Sequence, residues 1–127
     1  MRITKNEKGI NPVELVKGLA DPTRLRILAL LVQVGGELCV CQIQGALGES
    51  QYKISRHLQV LRHSGWVQEQ RRGRWVHYNL LAPVSQFHTH LLTSLGSLQP
   101  EFLELTIALD RIESLKKQNP CKEKSHE

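Results

Sequence analysis

The chain has 127 residues, 40% of them hydrophobic and 23% charged, which is the size of one ordinary domain and too short for two well-buried ones. No run approaches the length of an apolar membrane span, and the polar start from Met1 to Asn11 lacks the apolar stretch of a secretory signal, so the expected location is the cytosol, away from any membrane. The net charge of +5 sits in one segment: between Lys53 and Arg74, Lys53, Arg56, Arg62, Arg71, Arg72 and Arg74 oppose the single acid Glu69, and the rest of the chain is neutral. A basic excess confined in this way points to a polyanion footprint.

Helix signals open the chain. Asn11-Pro12-Val13-Glu14 supplies an N-cap, a proline for the first helical position and a capping-box glutamate, predicting a short helix to about Leu19. Asp21-Pro22 repeats the device ahead of Leu25, Leu28, Leu31 and Val32, and Gly35-Gly36 stops that helix. A third helix is expected over Val40–Leu47 and a fourth over Gln51–Ser64, with Ser50 as its N-cap and Gly65 as its stop. On the fourth, Ile54, Leu58 and Leu61 share one side, while Lys53, Arg56, Gln59 and Arg62 occupy the remainder.

The period then changes. Trp66–Gln70 and Trp75–Leu80 read as strands of a small hairpin whose tip is Arg71-Arg72-Gly73-Arg74. Two helices close the chain. Pro83–Leu95 places Val84, Phe87, Leu91 and Leu95 in a stripe, and the second runs from Pro100 to about Lys117. There Phe102, Leu105, Leu109 and Ile112 form a narrow seam with coiled-coil spacing, expected to be a homodimer contact. The expected organisation is a flexible arm over 1–10, one domain over 11–117 and a disordered tail over 118–127.

The order of elements, mainly α with a small β-hairpin, is that of a winged helix-turn-helix. The second helix of the pair lies in a major groove about 12 Å wide while the first braces it. Ser50, Gln51, Tyr52, Lys53, Ser55, Arg56, His57 and Gln59 carry suitable chemistry: amides and arginine for base edges, hydroxyls and lysine for phosphates. Arg71, Arg72 and Arg74 would reach the adjacent minor groove or backbone, as a wing does. A protein-binding module with an incidental basic hairpin is the competing class. An enzyme is not expected, because no Ser/His/Asp grouping, phosphate loop or paired-carboxylate motif stands out.

Three cysteines, Cys39, Cys41 and Cys121, are too few and too odd in number for a disulfide framework. As cytosolic thiols they are available as ligands for soft ions or as redox groups. Two residues apart in a regular helix, Cys39 and Cys41 would point about 200° apart. At a helix start the backbone can adapt, and the helix N-terminus favours the thiolate.

Asp21-Pro22-Thr23-Arg24-Leu25-Arg26-Ile27-Leu28, Glu37-Leu38-Cys39-Val40-Cys41, Ser55-Arg56-His57-Leu58 and Gly73-Arg74-Trp75-Val76-His77-Tyr78, in that order, resemble the ArsR/SmtB family of metal- and metalloid-responsive repressors. The resemblance spans about Pro12 to Ile112. It implies a winged-helix homodimer that occupies a palindromic operator and releases it on binding its inducer. The cysteine context looks like the arsenical-responsive branch, which implies As(III) or Sb(III) as inducer at Cys39 and Cys41 and no organic cofactor. Cd(II)/Pb(II) or thiol oxidation is the alternative signal on the same fold. That branch often carries a third cysteine where this chain has Gln44, leaving Cys121 as the other candidate ligand. A second family site, for zinc on the helix after the wing, lacks its aspartate here, and His88 and His90 are expected at the surface.

Overall fold

Side-chain caps set most of the helix starts. In the computed structural model, which describes residues 10–98 and 104–118, Asn11 Oδ1 accepts from the Val13 N–H at 2.8 Å and opens α1 (Pro12–Gly18). Asp21 Oδ2 accepts from Thr23 and Arg24 at 2.8 and 3.1 Å and opens α2 (Pro22–Val34). β1 (Leu38–Cys39) leads directly into α3 (Val40–Leu47). Ser50 Oγ accepts from the Lys53 N–H at 3.2 Å at the start of α4 (Gln51–His63). β2 (Val67–Arg72) and β3 (Trp75–Leu80) follow, then α5 (Gln86–Leu95) and α6 (Leu105–Gln118). α5 starts at Gln86 rather than at Pro83, because Ser85, extended at φ −155°, accepts from the His88 N–H and fixes the first turn there.

The core is built around α2, where Ile27, Leu28, Ala29, Leu30 and Leu31 have no exposed surface. Five consecutive apolar residues cover every side of the helix there, which places that stretch at the centre. Leu38, Ile43, Ile54, Leu58, Leu61 and Trp66 close over it with equally complete burial. Burying a side chain of this size contributes about 1.5–3 kcal/mol each, so this cluster dominates stability. α3 and α4 meet at the turn Gly48-Glu49-Ser50, where Gly48 sits at φ 69° in the left-handed region that glycine favours.

The hairpin is one strand richer than the sequence pattern indicated. β1 pairs antiparallel with β3 (Leu38 opposite Tyr78, Cys39 opposite His77), giving the order β1-β3-β2. A two-residue strand has no alternation to detect, which is why it was not visible.

The α6 seam is corrected by the structure. Ala108 and Ile112 are 1% and 4% exposed within one chain, because α6 lies against α3. The glycine at position 45 makes room: a Cβ there would come within 2.9 Å of the Leu115 side chain. α6 thus has an intrachain partner, which takes Ile112 of the expected seam and leaves Leu109 half-buried. Phe102 and the side chain of Leu105 lie outside the described residues, as do residues 1–9 of the expected arm and 119–127 of the expected tail, with Cys121. Ile10 is buried against Gly65, and α6 continues through Gln118.

Candidate nucleic-acid interface and cysteine site

α4 turns Ile54, Leu58 and Leu61 into the core and leaves Gln51, Tyr52, Lys53 and Arg56 outside, with Tyr52 73% exposed. The Arg56 guanidinium lies over the Tyr52 ring, 5.6 Å from its centroid, which couples a planar donor to an aromatic face. Lys53 Nζ reaches Glu49 at 3.2 Å. Ser50 is spent on the cap, and Ser55 is half-buried.

Two of the expected contact residues are engaged inside the fold. His57 accepts from Arg24 at 3.4 Å through Nδ1, and its Nε2 lies 3.7 Å from Asp21. Burial holds the imidazole below its usual range, with Arg24, Lys53 and Arg56 adding to the effect and Asp21 opposing it. Arg24 also donates to the Gly18 carbonyl at 2.8 Å, so one guanidinium ties α1 to α4. Gln59 donates to the Tyr78 hydroxyl at 3.0 Å and accepts from Arg62 at 2.9 Å. Tyr78 in turn donates to Glu69 at 3.0 Å. Burial and that bond push the phenol up to about 12. This chain of bonds fixes the angle between α4 and the hairpin.

At the hairpin, Arg71, Arg72 and Arg74 are exposed around Gly73, whose φ of 65° makes the tight turn. Arg72 bonds Glu37 at 2.9 Å, and the other Glu37 oxygen faces His77 at 3.7 Å. Arg71 reaches Glu69 at 3.8 Å. Glu37, ahead of β1, and Glu69, on β2, thus hold Arg72 and Arg71.

Cys39 is the N-cap residue of α3, extended at φ −83° and ψ 163°, while Cys41 lies in the first helical turn. The extended cap removes the divergence that a regular helix imposes, and the two Sγ atoms face each other at 2.7 Å. Gln42 Oε1 accepts from the Cys39 N–H at 3.0 Å and holds the junction. The pair opens on a cleft of about 190 Å³ lined by Val40, Gln51, Arg74, Trp75 and Val76. The cleft joins the sulfurs to the first residue of α4 and to the wing.

Residues 21–69 match the family described as "Bacterial regulatory protein, arsR family". The chain is 55% identical over 69 residues to the arsenical resistance operon repressor of Escherichia coli, covering 54% of this chain and 58% of that protein. It is 43% identical over 94 residues to the arsenic resistance transcriptional regulator ArsR1 of Pseudomonas putida, 74% of this chain and 73% of that one. The chain belongs to the ArsR family.

Among solved structures, this ArsR-family chain is similar to the homodimeric winged helix-turn-helix DNA-binding domain of a possible ArsR-family regulator from Mycobacterium bovis. The identity is 31% and the TM-score 0.55, over 65% of this chain and 72% of that one. The winged-helix fold expected from the sequence is the fold observed. The chain spans little more than half the length of the Escherichia coli relative.

One further expectation about this ArsR-family member is corrected. His88 is not a surface residue: it is fully buried, edge-on to Trp66 with ring centroids 5.1 Å apart. Its Nδ1 accepts from the Val84 N–H at 3.4 Å, and burial lowers its pKa. It faces inward because α5 packs against α2 and α1, with the Trp66 ring beside it. His90 is exposed as expected. Glu37, Tyr78 and Asp21 were not foreseen as partners of the candidate residues Arg72, Gln59 and His57. Only Glu37, beside the cysteine stretch, offered a signal.

Proposed function

We propose that this chain is a transcriptional repressor that binds operator DNA as a homodimer in the cytosol and releases it when trivalent arsenic or antimony is bound by Cys39 and Cys41. The observation that carries the reading is the shared cleft: the sulfurs, Gln51 at the root of α4 and Arg74 on the wing line one cavity. Chelation there acts on both DNA-facing elements at once. Soft thiolates select thiophilic ions, and the names of the relatives fit an arsenic signal.

In this reading Gln51, Tyr52, Lys53 and Arg56 enter the major groove, and Arg71, Arg72 and Arg74 follow the backbone or minor groove beside it. His57 and Gln59 hold the recognition helix in place. Cys121 remains a candidate third ligand from the tail. Dimerisation uses the exposed apolar residues of α1 and α5, Val13, Val16 and Phe87, since Ala108 and Ile112 of α6 are buried in their own chain. A two-fold dimer sets its half-sites about 34–36 Å apart.

The test is titration of arsenite into a complex of the reduced protein with a labelled operator duplex. Release with a midpoint that tracks thiol occupancy supports the reading, and unchanged binding overturns the inducer. Thiol oxidation of the same pair is the second signal to test. Peroxide, which takes two thiols to a disulfide and two waters, belongs in the same assay, beside Cd(II).

A further inference from the structure

A trivalent arsenic centre needs three bonds, and this site supplies two sulfurs. Among the described residues no group of three or more His, Cys, Asp or Glu is placed to hold a metal ion. The position one helical turn past Cys41 is Gln44, which brings no soft donor. Among the described residues, then, the third valence of a centre held between Cys39 and Cys41 falls to a group that the ligand carries, with Cys121 outside them. The space beside the sulfurs says what kind of group that is. The cleft of about 190 Å³ has Val40, Trp75 and Val76 among its lining residues, with Gln51 and Arg74 as its polar ones. It is large enough for a small organic substituent, and its apolar walls reward burying one.

Deepening the function proposed above, and resting on it, we infer that the preferred ligand is a mono-organic trivalent arsenical, R–As(OH)₂, with R small and apolar. Two Cys–SH groups replace the two hydroxyls: two As–S bonds form, two As–O bonds break, and each thiol proton leaves with a hydroxide as water. Arsenic stays trivalent, the As–C bond is untouched, and the product is neutral. R then lies against Trp75 and Val76 on β3, with Gln51 of α4 on the same cleft. The substituent thereby touches the wing and the recognition helix directly, which inorganic arsenic held by the same sulfurs does not.

The experiment compares phenylarsenous acid, methylarsenous acid and arsenite for release of the labelled duplex from the reduced full chain, with Trp emission followed in parallel. The organic compounds are expected to act at concentrations at least about ten-fold lower than arsenite, and the phenyl compound to perturb Trp emission. Any vicinal dithiol favours such compounds to a degree, so the cleft is tested separately. Val76→Phe, and Val40→Phe as a second filling variant, should return the phenyl compound toward the potency of arsenite while duplex binding persists. Gln44→Cys should narrow the gap from the other side by giving arsenite its third sulfur. Arsenite equal to or more potent than both organic compounds overturns the inference, as does an unchanged phenyl preference in both filled variants. If no arsenical releases the duplex, the failure belongs to the proposed function instead.

Discussion

Cys39 and His77 stand opposite each other across antiparallel strands β1 and β3. Through that pairing the residue that caps α3 also belongs to the sheet that carries the wing. A displacement of the Cys39 backbone cannot be confined to α3, because the ladder passes it to β3 and the arginine-bearing turn. Negative coupling of about 1–3 kcal/mol between inducer and DNA already gives a 5–150-fold loss of affinity.

Replacing both Cys39 and Cys41 by serine is expected to leave duplex binding within a few-fold of wild type and to abolish release by arsenicals. Fluorescence anisotropy with and without ligand measures both. Loss of duplex binding in the double variant would instead assign the sulfurs a structural role.

Arg71→Ala and Arg74→Ala should weaken binding to every duplex sequence alike. Each phosphate contact removed lowers the slope of log affinity against log salt by about 1. Arg56→Ala should differ, reducing discrimination between operator and random duplex. A salt series on both duplexes separates the two behaviours, and a uniform effect of Arg56→Ala would remove it from base reading.

Acid should destabilise the fold. Burial lowers the pKa of both His57 and His88 from the ordinary 6.5, so below that value the unfolded chain takes up protons that the folded chain resists. Stability is therefore fully present above about pH 6.5 and declines as pH falls toward the folded values. Urea unfolding between about pH 7.5 and 5.5 reads the slope, and His88→Phe, which keeps a ring beside Trp66, should flatten it. An unchanged slope in that variant would place the dependence elsewhere.

The two apolar surfaces should separate under mutation. Ile112→Ala, 4% exposed between α6 and the body of the fold, should cost about 2–5 kcal/mol of stability without changing subunit association per folded chain. Phe87→Asp and Val16→Asp, on positions 44% and 49% exposed, should do the reverse, giving folded monomers by sedimentation. A folded monomer from Ile112→Ala would return the dimer contact to α6.

Most of the helical frame was legible because its punctuation is local. Asp21-Pro22, Ser50 and the glycines at 48 and 73 act on their immediate neighbours, and the boundaries they mark are those observed. What escaped the sequence was long-range. That Ile112 is buried in its own chain follows from the packing of α6 on α3, where Gly45 makes room for Leu115, a contact silent in any periodicity. His88 looks like a surface histidine until Trp66 is placed beside it. The cysteine pair was singled out by its spacing together with the family-like context around it, but the convergence of its sulfurs followed only from the extended backbone of Cys39. The same holds for His57 and Gln59, whose chemistry suits DNA but whose partners are Asp21, Arg24 and Tyr78.

Arg111 donates to the Ala46 carbonyl at 3.0 Å and Arg26 to the Leu47 carbonyl at 3.3 Å, so guanidiniums from α6 and α2 both grip the last turn of α3. The opposite end bears the sulfurs. A rod only two turns long, pinned at one tip and tugged at the other, swings about its pin instead of sliding along its axis. In the proposed mechanism α6 is the fulcrum against which a pull at the cysteines would become rotation.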